Sequence, residues 1–210
     1  MIPRIVHQMY FRDEPFSDLN NRCHETWRRL LPGWDIRMWT PHNLPKGIVS
    51  PWAKAALACG SRAAGSNFGA YVKYALLHKF GGVYFDNDIE LLKPIETNHA
   101  YWLGWQRDGK DADINTSACA CVPGHEFNLA VMREVQSRPI NDHPLAFGPM
   151  LFTAILRERG LRGQGEEQMV GNIKVYSKEK WYPYFYDERA DRNRVTPETF
   201  GIHHWEGTWK

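Results

Sequence analysis

One run between Phe68 and Asp88 constrains the fold more than any other stretch of this chain. Phe68, Val72, Ala75, Leu76 and Phe80 recur on one side at helical spacing, and Gly81 follows as the residue suited to a left-handed C-cap. Val83, Tyr84 and Phe85 come at once as a short buried strand, and Asp86 and Asp88 end it. A strand buried on both faces belongs in a sheet covered by helices. Two acids at its end carry charge to the sheet's carboxyl edge, where α/β folds gather ligands and where charge costs stability unless something binds.

The remaining pattern supports such a sheet. Ile5 to Phe11 reads as a first strand, and Ser17 caps a helix whose Leu19, Cys23, Trp27 and Leu30 share a face until Pro32-Gly33 ends it. Asp35 to Trp39 alternates as a second strand, and Ser50-Pro51 opens a short helix that Gly60 stops. The stretch 60–65 is loop-like. Tyr101 to Trp105, Ile114 to Val122 and Ile173 to Tyr176 are expected strands; His125 to Ser137 and Ala146 to Gly160 are expected helices; 160–167 resembles a linker. Alternation of this kind predicts an α/β sandwich around a mostly parallel sheet, and 210 residues fit a single domain spanning 1–210.

Composition narrows the function. Lys plus Arg number 26 against 24 Asp plus Glu, so a net charge of +2 supplies no general attraction to nucleic acid. No window reaches the ~18 apolar residues of a transmembrane span. Cys23, Cys59, Cys119 and Cys121 form no CxxC pair and read as free thiols in a reducing compartment. Met1 leads directly into Ile2-Pro3-Arg4 with no leader pattern, so the expected localisation is cytoplasmic, free or peripheral at a membrane.

Asp86 and Asp88 stand at i and i+2, which in extended chain would point both carboxylates the same way, about 6 to 7 Å apart. Mg²⁺ and Mn²⁺ favour such oxygen ligands, with substrate phosphates completing the shell. An Asp-x-Asp alone would equally suit a solvated turn. The buried strand before it favours the ligand.

The whole run from Tyr71 to Pro94, with its helix, Gly81-Gly82, Tyr84-x-Asp86-x-Asp88 and Leu92-Lys93-Pro94, resembles the DXD sugar-binding glycosyltransferases. This is a retaining GT-A group that includes capsular polysaccharide transferases and yeast-type α-1,6-mannosyltransferases. Further matches are the opening strand Ile2 to Tyr10, Trp39 at the second strand's end, Gly148-Pro149, Trp181-Tyr182-Pro183 and the closing run His203 to Trp209. The resemblance implies a single-domain, Rossmann-like GT-A sandwich and metal-dependent transfer of a sugar from a nucleotide diphosphate sugar to an acceptor hydroxyl, with retention of configuration. It implies Mn²⁺ or Mg²⁺ held by Asp88, Asp86 and His203, with His204 as the alternative ligand, Asp86 and Asp88 being the catalytic pair. It places Tyr10, Lys73, Asp86, Asn115 and Trp209 against the donor. The implied acceptor is a saccharide or glycan, lipid-linked ones included.

One departure concerns the donor. The family usually has an acid and an arginine three apart on the helix before Gly-Gly, and here those positions hold Ala70 and Lys73. Lys73 keeps a charge without the arginine fork, and Ala70 accepts no hydroxyl hydrogen bond. A non-catalytic nucleotide-sugar or carbohydrate binder is therefore the alternative function. Aspartyl phosphatases also carry Asp-x-Asp after a strand, but near the N-terminus and followed by residues unlike Ile89-Glu90.

Overall fold

The computed structural model describes residues 1–11, 14–188 and 194–207. The strands are β1 (Ile5–Met9), β2 (Asp35–Trp39), β3 (Gly82–Phe85), β4 (Ile89–Leu91), β5 (Tyr101–Trp105), β6 (Ile114–Cys121), β7 (Gln168–Val170), β8 (Ile173–Tyr176) and β9 (Gly201–His203). The helices are α1 (Asp18–Leu30), α2 (Pro51–Ala58), α3 (Ala64–Phe80), α4 (Glu126–Ser137), α5 (Leu151–Glu158) and α6 (Lys178–Trp181). Seven strands form one sheet in the order β2-β1-β3-β6-β5-β8-β7, and β4 pairs with β9 in a separate ribbon.

Alternation decides which layer each strand residue faces. Tyr84, Cys119, Cys121, Tyr101 and Leu103 pack with α3, α4 and α5 on one face. Val83, Phe85, Ala118, Ala120 and Trp102 pack with Trp27 of α1, Trp181 of α6 and Ile89 of β4 on the other. The α/β sandwich is thus as expected, but the sheet is mixed. β1 runs parallel to β2 and β3, and β5 parallel to β8, while β6 is antiparallel to both its neighbours and β7 to β8. Strand direction follows from how the connections cross the sheet, which side-chain periodicity does not encode.

Local signals explain most boundaries. The Ser17 hydroxyl accepts from the Asn20 N–H at 3.1 Å and the Ser50 hydroxyl from the Ala53 N–H at 3.2 Å, so both expected N-caps form. α3 begins at Ala64, inside the expected loop 60–65, because Ala63 caps it without any side-chain bond and so leaves no local signature. The single helix expected from Ala146 is instead a wide π-type turn, Ala146–Met150, and then α5; Gly148 departs from helical angles (φ −110°, ψ −113°) just before Pro149.

Gly81 and Gly82 seat β3. Both have positive φ, 61° and 94°. A Cβ on Gly81 would lie 2.6 Å from the Pro123 backbone nitrogen, and one on Gly82 would lie 2.7 Å from the Ile5 carbonyl oxygen. Glycine at this pair lets α3 turn back beside β1 at once, which aims β3, and the acids after it, at the carboxyl edge.

Candidate active site

Asp86 follows β3 directly, its N–H donating to the Ser117 carbonyl of β6 at 2.8 Å. The next residues do not continue extended, as the i, i+2 spacing suggested. They form a tight turn in which the Ile89 N–H donates back to the Asp86 carbonyl at 3.1 Å, and the Asn87 side chain donates to the Met9 carbonyl of β1 at 2.9 Å. The β4–β9 ribbon then pairs Ile89 with His203. Turn and ribbon together bring ligand atoms of Asp86, Asp88 and His203 within 4.8 Å of one another.

Each member of this triad has a distinct electrostatic setting. Burial works against charge on Asp88, yet His203, with Nε2 3.3 Å from Oδ1, and the Glu206 N–H, 2.9 Å from Oδ2, outweigh it and hold the carboxyl at about 2. His203 is raised above the ordinary imidazole range: burial opposes its charge, and Asp88 and then Asp86 overcome that. Asp86 is raised, first by desolvation, with Lys73 and His203 pulling the other way. A positive charge beside the triad would favour both carboxylates.

The residues suit a divalent cation. Two carboxylates and one imidazole converge on one point, and the buried His203 Nδ1 has no hydrogen-bond partner. His204, the alternative ligand, is turned away: its Nε2 lies 2.9 Å from Glu90 Oε2 and its Nδ1 3.3 Å from the Tyr184 hydroxyl.

The triad lines a cleft of about 730 Å³ at the carboxyl ends of β1 and β3 and the amino end of the antiparallel β6, walled by the first turns of α3 and by the chain after β9. Tyr10, Lys73 and Asn115, which the resemblance assigned to the donor, line it, and each is engaged within the chain. The Tyr10 hydroxyl donates to the Glu14 carbonyl at 2.7 Å, and its ring packs on Phe16 with centroids 4.3 Å apart. The Asn115 amide bonds Gln106, and its Oδ1 accepts from the Ser117 N–H at 2.6 Å. Lys73 is buried, its Nζ donating to the Thr116 carbonyl at 2.9 Å and hydroxyl at 3.0 Å beneath the cleft floor. Trp209 lies outside the described residues.

Other cleft residues were not singled out in the sequence. Trp205 has a left-handed backbone (φ 56°) and rests its indole 4.1 Å from the His203 ring, with Phe185 edge-on at 4.9 Å. Glu206 accepts from the Asn20 side chain at 2.7 Å. Tyr186, 63% exposed, continues this aromatic rim. Trp205 and Glu206 belong to the closing run His203 to Trp209, which was the signal that could have found them. Cys119 is buried and pushed up to about 12 by desolvation, so it is a core thiol and no nucleophile.

Residues 17–104 match the family model described as a glycosyltransferase sugar-binding region containing a DXD motif. Inositol phosphoceramide mannosyltransferase 3 of Schizosaccharomyces pombe is 23% identical over 145 residues, 68% of this chain and 39% of that protein. Human lactosylceramide 4-alpha-galactosyltransferase is 26% identical over 220 residues, 98% of this chain and 50% of that protein. The chain spans half or less of the length of these two relatives. Two solved structures share the fold at 12% identity. They are PaToxG glycosyltransferase (TM-score 0.56, 75% of this chain and 69% of that one) and a glycosyltransferase involved in glycosylation of the major capsid of PBCV-1 (TM-score 0.52, 95% and 92%). The Asp86–Asp88 turn lies inside the segment that resembles the DXD-motif glycosyltransferase sugar-binding region, and the sandwich around it shares the fold of the two solved glycosyltransferases.

Proposed function

We propose that this protein transfers a hexose from a nucleotide diphosphate sugar to a hydroxyl of a saccharide or glycan acceptor, lipid-linked ones included, with retention of configuration. The observation that carries this reading is the convergence of Asp86, Asp88 and His203 on one point in the cleft. Mn²⁺ or Mg²⁺ held by these three would neutralise the charge that grows on the leaving diphosphate. The mannosyl- and galactosyltransferase names of the two relatives support a hexose donor, and their ceramide-based names support a glycolipid acceptor.

The chain's own residues supply position and field. Asp88 stays ionised at any ordinary pH, since its carboxyl is held near 2. Asp86 keeps its orientation through the turn, and Lys73 places a fixed positive charge beneath it. Tyr10 stands at the β1 side of the cleft for the donor, and Phe185, Tyr186 and Trp205 form a separate aromatic rim where the flat face of an acceptor sugar would pack. Among the described cleft residues the one further acid is Glu206, and it is tied to Asn20. That supports attack by the acceptor on the face the diphosphate leaves, with catalysis resting on positioning and charge.

A second reading, a nucleotide-sugar binder without turnover, is favoured by one feature. Ala70 offers the cleft no polar group, and Lys73 is spent on Thr116. One experiment separates the two. Melting temperature should rise with uridine or guanosine diphosphate only when Mn²⁺ or Mg²⁺ is present, because a ligand of the native state stabilises by mass action. A panel of nucleotide sugars with Mn²⁺ should then release nucleotide diphosphate. Binding without release selects the binder, and an equal shift in the presence of a chelator overturns the metal-bridged site.

A further inference from the structure

We propose that Glu90 and His204 act as positioning residues that fix which of two adjacent histidines faces the aspartates; this rests on the metal-site reading above. The ribbon that delivers His203 is minimal. β4 and β9 hold three residues each and pair Ile89 with His203, Glu90 with Ile202 and Leu91 with Gly201. A two-stranded ribbon this short has little stability of its own, so its register depends on what buries and bonds it, beginning with Ile89, Leu91 and Ile202, which are all fully buried. Side chains alternate along a strand, so a slip of one residue would turn His203 away from Asp88 and bring His204 toward it.

Two features at the histidine pair add to the hold that the Leu92 N–H, donating to the Phe200 carbonyl at 2.9 Å, and this burial already give the register. His204 spans the ribbon to Glu90, Nε2 to Oε2 at 2.9 Å, while its other ring nitrogen meets the Tyr184 hydroxyl at 3.3 Å. In the slipped register that pair cannot form. Gly201 supplies the second. A Cβ there would lie 2.8 Å from the Glu90 carbonyl oxygen and 3.0 Å from the Trp181 ring, so neither Phe200 nor Ile202 can take its place without moving backbone. Glycine excludes the slip by shape, and the Glu90–His204 pair rewards the correct register. The His204 N–H, donating to the Asp88 carbonyl at 3.1 Å, ties the same residue to the turn that carries Asp88. His204 thus touches both sides of the site without pointing into it. Partners one step removed from a metal commonly govern how well its ligands are aimed.

The test is Mn²⁺ affinity, measured on the whole chain by the electron paramagnetic resonance signal of free Mn²⁺. His204→Phe and Glu90→Ala should each weaken Mn²⁺ binding about tenfold or more, the range expected when a ligand's supporting partner is lost. The double variant should be no worse than either single one, because both remove one interaction. Glu90→Gln, which keeps an acceptor at that place, should stay within about threefold of wild type, and it covers the case in which Glu90→Ala does not fold. Wild-type affinity in folded His204→Phe, or a loss in Glu90→Gln equal to that in Glu90→Ala, would overturn the positioning role while leaving the metal site standing. Absence of Mn²⁺ binding by the wild type would sink the site and this inference together.

Discussion

Asp88 is only 8% exposed, and in an unliganded two-acid turn its charge would repel Asp86. The structure answers that charge from within: His203 stands 3.3 Å from one carboxylate oxygen and the Glu206 N–H 2.9 Å from the other. Relief of repulsion is therefore the smaller effect when the charge is removed, and loss of two charge-assisted contacts is the larger. Asp88→Asn should lower the unfolding free energy by about 2 kcal/mol, because a buried charged group's hydrogen bonds are each worth about 1.5 to 3 kcal/mol and the amide keeps part of them. The same change should cut metal-dependent turnover by about 10² to 10³, the usual cost of one electrostatic element in a reaction that rests on charge. Urea unfolding and turnover measured on one preparation check both. A folded Asp88→Asn variant with full metal-dependent activity would remove Asp88 from the ligand set.

At the scale of elements, α3, the glycine pair and β3 act as one device that throws the acids to the sheet's edge. Its glycines are required by geometry, since Gly82 has φ 94° and an added Cβ would meet backbone at Ile5, 2.7 Å away. Gly82→Ala should cost about 2 to 4 kcal/mol, from the strained φ and from displacement of β1, neither of which a side-chain rotamer can relieve. A denaturant midpoint equal to wild type would show that β1 yields at no cost. This device was legible in the sequence because each of its signals is local: helical spacing from Phe68 to Phe80, a glycine stop, an apolar run, paired acids. The β4–β9 ribbon was not, because three-residue strands define themselves by their partners, 114 residues apart for the Glu90–His204 pair. His203 entered as a ligand through the resemblance of the closing run. Lys73 shows the same limit differently: its charge was legible, but its capture by Thr116, 43 residues on, was not.

At the scale of the whole molecule, buried histidines on both faces of the sheet make stability depend on pH, His7 beside Trp39 and Phe80 and His24 beside Trp27. His7 is fully buried on β1 between Trp39 and Phe80, with ring centroids 6.0 and 6.1 Å away. Its Nδ1 accepts from the Trp39 indole N–H at 3.0 Å and its Nε2 meets the Gly81 carbonyl at 2.8 Å, which assigns the neutral ring with its proton on Nε2. Desolvation lowers it from the ordinary 6.5 to about 4. Between those values the unfolded chain binds a proton that the folded one refuses, so stability rises with pH through this window and is lost as pH falls from about 6.5 toward 4. Asp88, held near 2, loses its contribution only below this window. His203, raised, keeps its own contribution throughout the window and loses it as pH rises above 6.5. Asp86, also raised, acts against the His7 slope just above 3.8, and His24, lowered to about 4, adds to it. Only a comparison against a His7 variant isolates the term. Between pH 7.5 and pH 5 the wild type should lose about 2 kcal/mol more than His7→Gln does, since each unit of pKa displacement is worth about 1.4 kcal/mol. Urea melts of both proteins at the two pH values provide the measurement. Parallel losses in the two would mean that His7 takes up its proton in the folded state as readily as in water, and that Trp39 and Gly81 do not hold it neutral.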